Sequence, residues 1–383
     1  MTERIFYSNQ QVGIRPDSEG DDSFAAGDQL FGVQSVGMTT TFNLSQVFEL
    51  GQLALYENSE DLPDVEATVT KVLDGKPLTY IMATQDATTS PSLAGRSNAK
   101  CFFGLSIFDD TTDAAAGTAL STVQCSGMFI SSVTYNFPLD DPFTEEVTLV
   151  GNNKIWANAP TYGSTLHASM AGTTIDFAGQ FSTTVDDSPV GGTAGGVNRR
   201  ENLVYGTDAD LVYDRTQLPL EVLGVDGSGF VILSASNRPR VSSISASVDL
   251  GRDNLLELGR RAPYHRFVTF PTEVTCDIEV TSTSGDFVSA IEQGIFNTSA
   301  NPCNESTNLQ NRTIRVATCD GTRVFLGNKN KLSSVSYGGG DAAGGNVTVT
   351  YSYSNFNDFT VLHPSGISDS GLAWWTDRGT FLA

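Results

Sequence analysis

Basic residues are scarce in this chain: 22 Lys and Arg stand against 44 Asp and Glu, a net charge of −22 over 383 residues. The deficit excludes the phosphate-neutralising surface of a nucleic-acid-binding module and any attraction to an anionic membrane. Charged residues of both signs make up only 17%, against roughly 25% in an average soluble protein, so Ser, Thr, Asn and Gly must cover much of the surface. Such a composition suits strands and turns. Long apolar runs are missing too: no stretch approaches the roughly 20 residues needed to span a bilayer. The N-terminus (Met1, Thr2, Glu3, Arg4, Ile5) has no basic flank leading into an apolar run, so the expectation is a soluble protein made in the cytoplasm.

Residues that carry chemistry are few and scattered. The five cysteines (Cys101, Cys125, Cys276, Cys303, Cys319) form no CxxC pair and read as reduced structural thiols. The three histidines (His167, His265, His363) show no HExxH or HxH spacing and read as surface or loop residues. There is no Walker loop and no GxSxG elbow. Gly338-x-Gly340-x-x-Ala343 imitates a dinucleotide fingerprint but precedes a strand-like run rather than a helix, so no helix N-terminus stands behind it. The acidic pairs Asp21-Asp22, Asp109-Asp110, Asp140-Asp141 and Glu145-Glu146 read as solvated turn carboxylates, because neighbours on a strand point to opposite faces. Asp226-Gly227-Ser228-Gly229 lacks the spaced oxygen ligands of a calcium loop. No catalytic residue, no metal site and no cofactor is assigned. A secreted carbohydrate-binding β-sandwich, stacking sugars on Trp374 and Trp375, is a rival class that the missing signal disfavours.

What is present is self-similarity. Glu49-Leu50-Gly51, Ala54, Tyr56 and Pro63 recur as Glu257-Leu258-Gly259, Ala262, Tyr264 and Pro271, all displaced by 208 positions. Downstream, Ile130-Ser131-Ser132-Val133-Thr134-Tyr135 recurs as Leu332-Ser333-Ser334-Val335-Ser336-Tyr337, displaced by 202. Solenoid periods run to roughly 20 to 50 residues, so this spacing indicates a duplicated domain. The Gly-rich run from Gly191 to Gly196 marks the seam, giving domains 1–198 and 199–383; 24 acidic and 7 basic residues in the first leave it at −17, and 20 and 15 in the second leave it at −5.

Within each copy a short helix is expected first: Asn43 would cap one carrying Leu44, Val47, Phe48 and Leu50 and stopped by Gly51, and Asp249 or Asp253 one carrying Leu255, Leu256 and Leu258. Period-two strands follow. Val65, Ala67 and Val69 alternate with Glu66, Thr68 and Thr70, and Val274, Cys276, Ile278 and Val280 with Thr275, Asp277, Glu279 and Thr281. Further strand-like runs lie at Lys100–Phe108, Met128–Phe137, Glu146–Val150, Arg312–Ala317 and Val347–Tyr353. The fold class is therefore mainly β, two tandem antiparallel sandwich or barrel domains with one short α-helix each. The stretch from Thr84 to Ala99 is too polar for a core and reads as an assembly loop (Thr84, Thr88, Thr89, Ser90, Pro91, Ser92, Leu93, Ala94, Gly95, Arg96), mobile in the free subunit like the N-terminal arm up to Asp28.

Two segments resemble a known family. Phe42 to Asp74 and Met128 to Trp156, the latter through Ser131-Ser132-Val133-Thr134-Tyr135 and Thr144-Glu145-Glu146-Val147-Thr148-Leu149-Val150-Gly151-Asn152, are similar to the tail tube proteins of long-tailed bacteriophages. The second half matches mainly through the repeat, with Gly338 to Gly345 where the Thr-Glu-Glu-Val stretch would be. The resemblance implies a structural virion protein whose rings stack into a hollow tail through which double-stranded DNA passes without specific binding. Its partners would be further copies, a tail terminator, baseplate and tape measure proteins, with assembly in the host cytoplasm and no membrane. Single-domain tube proteins form hexameric rings, so a duplicated chain implies trimers. A terminator, baseplate hub or secretion tube shares the fold and remains open. In a tube wall the apolar strand faces would turn to the core, leaving Glu66, Thr68, Thr70, Thr275, Asp277, Glu279 and Thr281 to line the lumen.

Overall fold

The computed structural model describes residues 5, 7–17, 30–84, 92–108, 121–158, 197–203, 216–219, 221–223, 240–259, 263–281, 288, 311–318, 320–338 and 346–363. The strands are β1 (Gln10–Pro16), β2 (Val33–Thr41), β3 (Leu44–Phe48), β4 (Leu55–Glu60), β5 (Asp64–Val72), β6 (Cys101–Ile107), β7 (Ser121–Pro138), β8 (Thr144–Gly151), β9 (Ile155–Asn158), β10 (Arg240–Asp249), β11 (Arg252–Leu255), β12 (His265–Val268), β13 (Glu273–Thr281), β14 (Arg315–Ala317), β15 (Arg323–Phe325), β16 (Lys331–Gly338), β17 (Thr348–Phe356) and β18 (Thr360–Leu362). Two short helices, α1 (Thr79–Ala83) and α2 (Leu93–Arg96), both belong to the first half. The fold is thus mainly β and antiparallel throughout the pairs described here.

The central feature is one sheet in the order β16-β17-β13-β10-β7-β8-β5-β2. Its strands alternate as period two requires. Val65, Ala67 and Val69 are buried on β5, Val147 and Leu149 on β8, Val274, Cys276 and Ile278 on β13, and Val349, Tyr351 and Tyr353 on β17. Over this face lie α1 with β1 and β6 on one side and the small sheet β14-β15-β18 on the other. The core runs unbroken between the halves: Phe359 of the second packs on Tyr80 and Tyr135 of the first at ring separations of 6.1 and 6.2 Å.

The repeat is structural as well. By the two displacements, β2, β5, β7 and β8 correspond to β10, β13, β16 and β17, and each set has the same neighbours. Even the irregularities recur. A bulge between Val33 and Ser35 on β2 matches one between Val241 and Ser243 on β10, and one between Ile130 and Ser132 on β7 matches one between Leu332 and Ser334 on β16. The halves join by antiparallel pairing of β10 with β7, Ser243 opposite Pro138 through Asp249 opposite Ser132.

Several expectations are corrected. The two expected helices are β-hairpins: β3 pairs with β4 and β11 with β12. Leu44, Val47, Phe48 and Leu50 have helical spacing but pack on no core among the described residues, and all are exposed. Asn43 does not cap a helix; its amide donates to the Leu62 carbonyl and the Asp64 carboxylate, closing the hairpin root. Asp249 accepts from the Gly251 amide in a turn, and Asp253 accepts from Thr269 across the second hairpin. Gly51 (φ +95°) and Gly259 (φ +87°) take left-handed conformations that a β-carbon disfavours, which is why the repeated Glu-Leu-Gly forms a turn. The N-terminal arm is also corrected: β1 is a mostly buried strand paired with β6.

A buried carboxylate orders α1. Glu145 on β8 accepts hydrogen bonds from the Thr79 and Tyr80 amides (2.6 and 3.1 Å) and from the Tyr135 hydroxyl (2.6 Å). Burial raises its pKa, and the three hydrogen bonds offset that rise only in part. Glu145→Ala strands three buried donors and is expected to cost about 3 kcal/mol, read from the denaturant midpoint.

His363, expected at the surface or in a loop, follows β18 outside any strand but is buried, and desolvation lowers its pKa from 6.5 to about 4 against the opposing pull of Asp320. Because the folded-state value lies below the unfolded one, its contribution to stability is full above the unfolded pKa and lost as pH falls toward 4. Acidification through that window should cost about 3 kcal/mol, and His363→Asn should remove this part of the slope in denaturation series across pH.

Candidate assembly surfaces

Three features of the sheet face away from the chain's own core. The first is its outer face. Glu66 and Asp277 are exposed, while Thr68, Thr70, Thr275, Glu279 and Thr281 are half-buried, every one alternating with a buried apolar residue. The structure therefore brings the predicted lumen residues onto one face of one sheet. Cross-strand hydroxyls tie it together: Thr68 with Thr148 at 3.5 Å, Ser247 with Thr275 at 2.8 Å, Ser245 with Asn136 at 2.7 Å and Ser243 with Glu279 at 3.3 Å. Glu146, opposite Thr70, adds a further carboxylate. The sequence reading missed Glu146, Thr134, Asn136 and the β10 serines, although the same period-two signal marks them. Among the described residues of its strands, cations enter this face near strand starts, at Arg240 opposite Thr281 and Lys331 opposite Ser354.

The second feature is the pair of hairpin arms. Leu50, Leu53, Phe48 and Tyr56 on the first arm are exposed, Leu50 and Leu53 fully so, and Leu256, Leu258 and Tyr264 repeat this on the second. Such apolar side chains at a hairpin end cost solvation unless another surface covers them.

The second arm is anchored across the seam. Arg252 donates to the Ile130 carbonyl (2.8 Å) and lies over the Phe129 ring, against which His265 packs edge-on. Arg266 pairs with Asp64 (2.7 Å) and donates to Asn152 (3.2 Å).

The third feature is the two sheet ends. Among the described residues β16 and β2 terminate the strand order, and their core-side residues are only partly covered: Val36, Met38 and Val335 are half-buried and Tyr337 is 53% exposed. Unpaired edges of this kind template pairing with another chain.

The segment expected as a loop is corrected at both ends. Thr84, Leu93, Arg96 and Ser97 are buried, with the Arg96 guanidinium donating to the Thr84 hydroxyl (2.9 Å) and Ser92 capping α2 through the Gly95 amide. Thr88, Thr89, Ser90 and Pro91 lie outside the described residues, as do His167, Trp374, Trp375 and the Gly191–Gly196 run.

Among the described residues no cluster of His, Cys, Asp or Glu is placed to hold a metal, and no helix is long and apolar enough to cross a membrane. No family model and no curated protein matches the chain. Among solved structures it is similar to the tube-terminating cap of the anti-feeding prophage, at 13% identity over 42% of this chain and 94% of that one, with a TM-score of 0.30. It is also similar to a chain of the sheath-tube complex of the PVC extracellular contractile injection system in its extended state (16% identity, 41% and 93% covered, TM-score 0.30). An Hcp protein is a third such neighbour (11% identity, 39% and 98% covered, TM-score 0.23).

Proposed function

We propose that this chain is the structural subunit of a hollow tube, built as two tandem tube domains (1–198 and 199–383), and that the tube is the tail of a long-tailed bacteriophage, through which DNA leaves the virion. The observation that carries this reading is the single sheet with one apolar, covered face, one acidic and hydroxylated face, and two unmatched ends. Joining such sheets end to end removes the edges only when they close. Each chain supplies eight strands along the sheet path, and three chains complete the six-domain ring that the duplication implies.

The outer face then lines the lumen. Glu66, Asp277 and Glu279 repel a polyanion carrying roughly one charge per 1.7 Å, and Thr68, Thr70, Thr275 and Thr281 add hydroxyls without a cation, so DNA slides rather than binds. The exposed arms engage neighbouring copies and rings, and the segment around Thr88–Pro91, anchored by Thr84, Leu93 and Arg96, makes further contacts between subunits. Terminator, baseplate and tape measure proteins are the remaining partners, and assembly takes place in the host cytoplasm. Native mass measurement of isolated rings tests the count: three chains of 40.8 kDa, 3 × 40.8 = 122.4 kDa, are expected, and six chains or a monomer at high concentration would refute it.

A further inference from the structure

The seam between the two halves is a template for the seam between two chains. We infer that β2 of one copy pairs antiparallel with β16 of a second copy in the register by which β10 pairs with β7, and that the first arm lies across the second copy as the second arm lies across the first half. The inference rests on the tube reading and adds to it the interface residues.

Carrying the β10–β7 register over by the two repeat displacements sets Met38 opposite Tyr337, Thr39 opposite Ser336, Thr40 opposite Val335 and Thr41 opposite Ser334. The displacements come from sequence, so the faces on which these residues fall are an independent check. They agree. Val335 and Tyr337 lie opposite the buried Tyr351 and Val349, and Met38 and Thr40 lie opposite the buried Ala67 and Val65, so all four share the core face. Ser334 and Ser336 lie opposite Ser352 and Thr350, and Thr39 lies opposite Glu66, so these share the polar face. A register one residue away would turn Met38 and Tyr337 to opposite sides.

The arm contacts translate as well. Within the chain, His265 packs on Phe129 and Arg252 reaches Ile130. Their counterparts are Glu57 with Lys331 and Leu44 with Leu332. An ion pair and an apolar pair stand where the intramolecular seam has ring packing and a guanidinium clamp. The first exchange keeps the contact complementary with both sides changed, and the second puts an apolar pair where a guanidinium donates to a backbone carbonyl. Glu57 and Leu44 are exposed on the single chain, as residues awaiting such a partner would be. The contact is head-to-tail, so it closes into a ring only when repeated with one rotation.

The test is oxidative cross-linking of assembled protein carrying Thr39→Cys and Ser336→Cys, which adjacent antiparallel residues can bridge. Reducible dimers and a closed trimer on denaturing gels are expected, with none from Thr39→Cys combined with Ser334→Cys or from the unsubstituted chain. Assembled rings or tubes that link through the offset pair, or through neither, overturn this register while leaving the tube reading in place; failure of every variant and of the parent chain to assemble overturns both. As a second readout, Glu57→Lys and Lys331→Glu should each lower ring recovery severalfold and the double reversal restore it, whereas singles that leave recovery unchanged would remove the ion pair from the interface.

Discussion

Leu50→Asp with Leu53→Asp should leave a folded chain that no longer grows tubes. Both side chains are fully exposed on the single chain, so the substitutions remove no internal contact and the denaturation midpoint should stay within about 0.5 kcal/mol of the parent. In the proposed tube a neighbouring copy would cover each leucine, at about 2 kcal/mol apiece. Losing both is about 4 kcal/mol, on the order of a thousandfold in the association constant of every contact. Sedimentation after assembly measures it: parent protein pellets, the variant stays in the supernatant. Leu258→Asp on the second arm provides the companion case, and normal pelleting of both variants would mean that the arm ends face solvent in the assembly.

The second large effect concerns the polar face. Glu66→Lys, Asp277→Lys and Glu279→Lys together change each chain by 3 × 2 = 6 charges, from −22 to −16, and place the new cations on the face argued to line the channel. Assembly should persist, because Glu66 and Asp277 are exposed and Glu279 is half-buried with a hydroxyl partner. The channel, however, becomes a surface that neutralises phosphates, and log affinity for duplex DNA should fall with log salt at roughly −0.9 per phosphate contacted. Tubes of the variant should retain short duplex DNA at low salt and release it as salt rises, while parent tubes retain none. Equal behaviour of the two would place these residues away from the channel.

How much of this could be read beforehand depends on where each residue finds its partner. Val65, Ala67 and Val69, with their counterparts Val274, Cys276 and Ile278, bury against their own chain, so period two declares both strand and face. The repeat was legible for a different reason, direct identity of residues, many of them on the exposed arms (Glu49-Leu50-Gly51 and Tyr56), and it extends to residues that flank matched bulges. The arms were misread because the surface that would cover Leu44, Val47 and Phe48 is not in their own chain; helical spacing without a core is an accident of sequence, and the Gly51 turn decides the outcome.

Arg96, Thr84 and Glu145 were illegible for the opposite reason. Their polarity points outward, yet each is buried beside a partner on another element or turn, and only the fold chooses that partner. The edge pairing lies between these cases. The alternation on β2 and β16 is visible in sequence, but only the observed β10–β7 register shows which edges correspond.

Electron micrographs of assembled protein, averaged to a three-fold cross-section, show most directly whether the acidic, hydroxylated face of the sheet is the inner wall of a closed ring. The expected image is an open channel bounded by one continuous barrel of 3 × 8 = 24 strands, with Glu66 and Asp277 pointing into it and the arms leaving at one end of each ring. A filament without a channel, or a tube whose inner wall is built from β14, β15 and β18 with Glu66 and Asp277 on the outside, would contradict it.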